Sequence, residues 1–177
     1  DPSKEKREHS IWVDDGLVTV AGGKLTTFRL IALDVLKAAA PALGRSLSLP
    51  AAAPIFTAPA PSLDAVGGLD AQARQRLRGR YGASAAEVVA GGSPSTATIG
   101  ASNVCWGEID WALRHEQVLH LDDLLLRRTR LGLLLPAGAA AELAEIGDRC
   151  RRLLGWSAAR VADEIRRYLD IYRRDFS

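Results

Sequence analysis

Gly22-Gly23-Lys24, running into Leu25-Thr26-Thr27, is the stretch whose residue types and spacing could do chemistry. Paired glycines let backbone come close to another group. The N–H groups at a helix start have no acceptor inside the helix, and the positive end of the helix dipole lies there. Lys24 adds a full charge. Together they suit an anionic group or an electron-rich ring edge. A triphosphate-binding Walker A loop is excluded. The glycine that motif places ahead of its Gly-Lys pair falls on Val18, and Leu25 stands where Ser or Thr is needed. A strand-to-helix turn that holds no ligand fits the same residues.

The flanking sequence predicts the elements that position this bend. Val18-Thr19-Val20 alternates as a pleated strand does, and Ile11-Trp12-Val13 with Asp14-Asp15-Gly16 ahead of it completes a β-hairpin on an Asp-Gly turn. Leu25, Phe28, Ile31, Ala32 and Val35 recur at helical spacing, and the helix should end near Ala40, before Pro41.

Gly22-Gly23-Lys24-Leu25-Thr26-Thr27-Phe28-Arg29 resembles the G-G-K-[LI]-T-T-Y-R segment of the FAD-dependent glycerol-3-phosphate dehydrogenases. Lys6-Arg7-Glu8-His9 is similar to that family's S-R-[DE]-[YH] segment. Glu-Ile-Asp-Trp-Ala-Leu-Arg-His-Glu from Glu108, with Leu-Asp-Asp-Leu-Leu-Leu-Arg-Arg-Thr-Arg ending at Arg130, is similar to its C-terminal helical signature. The resemblance implies a flavoenzyme that oxidises glycerol 3-phosphate to dihydroxyacetone phosphate and passes electrons from FAD to a quinone. It places Arg7 on the substrate's phosphate, which a guanidinium grips in a fork. It puts Lys24 near substrate or flavin, and Gly22, Gly23 and the backbone of Leu25 and Thr26 against the flavin. Hydride would pass from C2 of the substrate to flavin N5, with the helix start and Lys24 stabilising charge on the N1–O2 edge. Phe28 stands where many relatives have Tyr. The family's Gly-x-Gly-x-x-Gly fingerprint is missing and Asp1 opens within a charge run, so the resemblance implies the C-terminal third of a larger enzyme. This fragment alone should be inactive and bind FAD weakly or not at all. The alternatives are an oxidase that reduces oxygen, or a helical interaction module whose hairpin builds a homo-oligomer.

Composition agrees with a globular chain of 177 residues, 47% hydrophobic and 25% charged, and a net charge of +2 argues no nucleic-acid partner. Cys105 and Cys150 lie far apart without a C-x-x-C, which reads as reduced thiols in a cytoplasmic protein. No apolar run reaches the length of a membrane span. Peripheral association with the inner face of the cell membrane is implied by the resemblance alone.

The predicted fold is mainly α. A β-hairpin–helix remnant of the FAD/substrate domain (residues 1–41) is followed by a Pro/Ala-rich connector (42–62) and a helical cap (63–177), a bundle of about five helices. Asp70 should cap a helix carrying Ala73, Leu77 and Tyr81 and closed by Gly82, with Arg74, Arg76, Arg78 and Arg80 in solvent. Ser84 with Glu87 forms a capping-box pattern for a short helix stopped by Gly91-Gly92. His115 and His120 sit about 140° apart on a helix, which refuses the protease zinc pattern. His115-Glu116 is expected to bond a neighbouring helix. Asp122-Asp123 and Arg127-Arg128 suit the two ends of one helix that continues through Leu131 to Leu135, and Arg127, Arg128 and Thr129 are assigned to structural hydrogen bonds. Two amphipathic helices follow. One carries Leu143, Ile146, Cys150 and Leu153 and is closed by Gly155. The other is capped by Ser157 and carries Val161, Ile165, Tyr168 and Tyr172, with Arg166, Arg167, Arg173 and Arg174 outside.

Overall fold

A computed structural model describes residues 8–46, 59–90 and 94–176. The chain divides into two compact units, Asp1–Thr57 and Ala58–Ser177. Much of the expected connector, the Gly91-Gly92 stop and Arg7 lie outside the described residues.

In the first unit, β1 (His9–Asp14) and β2 (Leu17–Gly22) pair antiparallel, with His9 opposite Gly22 and Asp14 opposite Leu17. Asp15 (φ 42°) and Gly16 (φ 81°) make the connecting turn, so both central residues are left-handed, the hand that matches strand twist. A 3-10 turn at Leu25–Thr27 leads into α1 (Phe28–Ala39), which packs on both strands and stops before Pro41. None of the described residues in this unit is buried. Ile31 and Val35 are half-buried, but Leu25 is 88% and Phe28 52% exposed, so the expected apolar stripe is only partly covered.

The second unit is helical: α2 (Ala71–Tyr81), α3 (Ala85–Val88), α4 (Trp106–His115), a π-helix (Asp123–Arg128), α5 (Leu131–Leu134), α6 (Leu143–Leu154) and α7 (Ala158–Asp175). The mainly helical expectation holds. One core gathers Ile109, Leu113, Leu121, Leu124, Leu125, Ile146 and Tyr168. The other gathers Leu63, Leu77, Ala85, Val88 and Cys105. Side chains of α4 enter both, since Ile109 and Leu113 belong to the first and Trp111 packs on the second. Local capping chemistry came out as expected at two helices. Asp70 Oδ1 accepts from the Ala73 amide at 2.7 Å, and Ser157 Oγ accepts from the Arg160 amide at 3.1 Å. Gly82 (φ 54°) and Gly155 (φ 68°) close α2 and α6 at positive φ, and Gly155 takes the left-handed helical conformation of an αL cap.

Three expectations are corrected, and a fourth holds only in part. Ser84 caps nothing with its side chain, because a 3-10 turn at Gly82–Ser84 feeds α3 directly. The helix expected to run through to Leu135 breaks at Arg130 (φ 60°). There the Thr129 amide and hydroxyl both donate to Leu124 O, at 2.9 and 2.7 Å, widening the turn to π geometry before α5 restarts. The arginine faces are not simply solvated. Arg76 forks onto Glu108 at 2.8 and 2.6 Å, and Arg167 donates to Asp122. Of the His115-Glu116 pair, His115 stacks on Trp111 of its own helix, with centroids 4.0 Å apart, while Glu116 O accepts from Arg128 Nε of the π-helix at 2.8 Å; His120 Nδ1 also meets a neighbouring helix, 2.8 Å from Glu164.

Candidate functional site at the glycine bend

The structure brings Gly22, Gly23, Lys24, Leu25 and Thr26 together at the corner between β2 and α1. Gly22 (φ 80°) and Gly23 (φ 94°) turn the strand, and Lys24 returns to extended geometry (φ −128°, ψ 150°) before the helical turn begins. The Lys24 amide donates to Thr27 Oγ1 at 3.3 Å, and the Thr27 hydroxyl and amide both donate to Lys24 O at 3.0 Å. This leaves the amides of Leu25 and Thr26 at the head of the turn without an intrahelical acceptor. Lys24, Leu25 and Thr26 are exposed, and no carboxylate pairs with Lys24 among the described residues. The corner therefore offers two amides and an ammonium close together in the chain, a donor set for a negative or electron-rich group.

The glycines have a second cause. A Cβ on Gly22 would lie 2.6 Å from Glu8 O, and one on Gly23 would lie 2.4 Å from Ile31 Cδ1. They make room for the chain itself as well as for any ligand. Gly22→Ala is therefore expected to open the corner. A left-handed Cβ costs roughly 1–2 kcal/mol, and the clash is with a backbone oxygen that cannot rotate away. Amide exchange in β1 and β2 should become faster, and more so than in Gly23→Ala, whose new methyl meets only the end of a flexible side chain.

Sequence reasoning missed a polar tie between β1 and α1. His9 Nε2 lies 3.1 Å from Asp34 Oδ2, and Lys37 Nζ lies 3.2 Å from Asp34 Oδ1. The hydrogen bond from Lys37 and its charge hold the Asp34 carboxyl below the usual range, with His9 adding to the effect. The only sequence signal for this tie was His9 itself, inside the Lys6-Arg7-Glu8-His9 segment.

A polar cluster around Glu108, in the second unit, is structural. Glu108 accepts twice from Arg76, once from the Tyr81 hydroxyl at 3.0 Å and once from the Cys105 amide at 2.9 Å. A carboxylate so engaged has little left to offer a substrate. Burial pushes the thiols up, Cys105 to about 11 and Cys150 to about 12, so neither supplies a thiolate at neutral pH.

Residues 31–161 match the family model of the C-terminal domain of alpha-glycerophosphate oxidase. The chain belongs to that family. It is 33% identical over 187 residues to glycerol-3-phosphate dehydrogenase 2 of Mycobacterium tuberculosis, an alignment covering 96% of this chain and 32% of the relative. The glycerol-3-phosphate dehydrogenase of Mycobacterium leprae is 32% identical over 183 residues, 95% of this chain and 31% of the relative. Glycerol-3-phosphate dehydrogenase 1 of Mycobacterium bovis is 37% identical over 138 residues, 72% of this chain and 26% of the relative. The chain thus spans about a third of the length of the curated relatives it matches, and the family it belongs to is that of a C-terminal domain. No solved structure matches. The family match starts at Ile31, within α1 and just beyond the bend.

Proposed function

We propose that this chain is the C-terminal part of an FAD-dependent enzyme that oxidises sn-glycerol 3-phosphate to dihydroxyacetone phosphate and passes the electrons to a quinone. The observation that supports it is the exposed corner of Lys24 with the Leu25 and Thr26 amides, in a chain whose relatives are named for glycerol 3-phosphate. The donor set fits a flavin: an isoalloxazine edge carries carbonyl oxygens and ring nitrogen, and it gains negative charge on reduction. Bound flavin would supply the acceptor for the electrons of the alcohol carbon. The chain's own residues do the rest. Lys24 and the two amides would set positive charge and N–H donors beside the negative charge that develops during the reaction. Gly22 and Gly23 shape the approach. Arg7 takes the phosphate of the substrate in a bidentate grip.

Among its described residues, the helical unit carries no such donor corner in this reading. It is a cap, with Arg127, Arg128 and Thr129 spent on internal bonds: Arg127 on Asp122 at 2.5 Å, Arg128 on Glu116 O at 2.8 Å, Thr129 on Leu124 O. The description of the matching family as an oxidase favours a second reading of the acceptor, molecular oxygen. Oxygen consumption against quinone reduction by the full-length protein separates the two. The chain by itself offers flavin one strand–bend–helix contact. Mixing the purified 177-residue chain with FAD should leave the dye free, with no stoichiometric yellow complex after gel filtration. Tight retention of FAD would overturn the assignment of the dinucleotide fold to other parts of the protein.

A further inference from the structure

The corner that carries Lys24 has little packing to hold it. None of the described residues 8–46 is buried, and successive glycines with positive φ are poor at fixing a bend by themselves. A polar tie joins the ribbon to α1. His9 Nε2 reaches Asp34 Oδ2 at 3.1 Å, with the imidazole only 24% exposed. His9 stands opposite Gly22 in the ladder, so the tie starts at the residue facing the first glycine. It ends on α1 three residues after Ile31, whose Cδ1 fills the space beside Gly23, so both contacts leave the same face of the helix. Lys37 holds the other oxygen of Asp34 at 3.2 Å. A closed ring results. It runs from His9 across the ladder to Gly22, through the bend to Phe28, along α1 to Asp34, and back through the imidazole–carboxylate contact.

We infer that His9 and Asp34 are positioning residues for the bend: their contact sets the angle between the β-ribbon and α1, and so aims Lys24 and the amides of Leu25 and Thr26. The consequence for turnover rests on the flavin-facing role proposed above. The aiming of the bend does not. A role in packing alone differs in a measurable way, because a side chain of similar size without a hydrogen bond would then serve as well as histidine.

The test has two arms. In the 177-residue chain, backbone 15N relaxation at Gly22, Gly23 and Lys24 should give order parameters near 0.85 for wild type, falling to about 0.6 in His9→Leu and Asp34→Ala. His9→Gln, whose amide can still reach Asp34, should stay close to wild type. The double variant His9→Leu/Asp34→Ala should be no looser than either single one, since both remove one contact. In the full-length flavin-loaded enzyme, His9→Leu should lower kcat/KM for glycerol 3-phosphate about 10–100-fold at unchanged flavin content, with His9→Gln near wild type. A wild-type bend already mobile on the fast timescale would overturn the inference. So would His9→Leu as ordered as wild type, or His9→Leu and His9→Gln equally impaired. Should the relaxation arm come out as expected while the wild-type full-length protein ignores glycerol 3-phosphate, the positioning role stands and the proposed function falls.

Discussion

Replacing Glu108 with alanine is expected to cost the helical unit about 3–5 kcal/mol of stability, the range for breaking a buried ion pair by removing one partner. Glu108 is 0% exposed and meets α2 through Arg76 and Tyr81, and its own helix start through the Cys105 amide. Loss of the carboxylate leaves a guanidinium, a hydroxyl and an amide without their acceptor. Arg80, with its Nε 4.0 Å from Glu108, loses its nearest charge as well. Exposed pairs such as Arg166–Asp163 should by contrast contribute between nothing and about 1 kcal/mol. Urea melts of Glu108→Ala and Asp163→Ala, followed by helical circular dichroism, make the comparison. Replacing Arg76 and Glu108 together by apolar residues of similar volume should recover much of the loss, since no unpaired charge then stays buried.

The same carboxylate gives the unit an acid-sensitive component. Burial pushes the Glu108 carboxyl up, but the hydrogen bonds from Arg76 and the Cys105 amide outweigh burial and hold it below the usual glutamate range. A folded pKa below the unfolded one means a contribution fully present above the ordinary value and lost as pH falls through the folded value. The wild-type urea midpoint should therefore drop on acidification. Glu108→Ala should remove its share of that drop, leaving the part from Asp122, whose carboxyl Arg127 and Arg167 hold down against burial in the same direction.

In the full-length enzyme, Lys24→Ala is expected to reduce kcat/KM for glycerol 3-phosphate about 100- to 1,000-fold, the loss seen when one preorganised donor is taken from a developing charge. The two neighbouring donors are backbone amides that no side-chain change removes, so some activity should remain. Lys24→Arg keeps the charge but spreads it over a planar fork, and should fall between. Flavin content should not change, because the bulk of the cofactor's contacts lies with other parts of the enzyme in this account. Steady-state kinetics with flavin quantified by absorbance checks both statements.

What could be read from the sequence was whatever is decided within a few residues. The Asp15-Gly16 turn, the strand running into paired glycines, the Asp70 and Ser157 caps and the Gly155 stop are all local bargains between side chain and backbone, and each came out as expected. Ser84 shows the limit of local pattern, since a 3-10 turn took the place of the capped start. The arginines failed for another reason. Arg74, Arg76, Arg78 and Arg80 look alike in sequence, and what singles out Arg76 is a carboxylate 32 residues away. Arg167 finds Asp122 across 45 residues. The His9–Asp34 tie spans 25 and had the same invisibility. The bend was legible as a place, while its aim depends on contacts that only the folded ribbon and helix create.

Anaerobic addition of glycerol 3-phosphate to the full-length protein, watched in the flavin absorption band, tests the central claim most directly. The account predicts a yellow protein that the substrate bleaches, rapidly in the wild type and on the order of 100-fold more slowly in Lys24→Ala. A colourless protein would contradict it. So would a yellow one that glycerol 3-phosphate leaves unchanged, or one that bleaches at the same rate with and without the lysine.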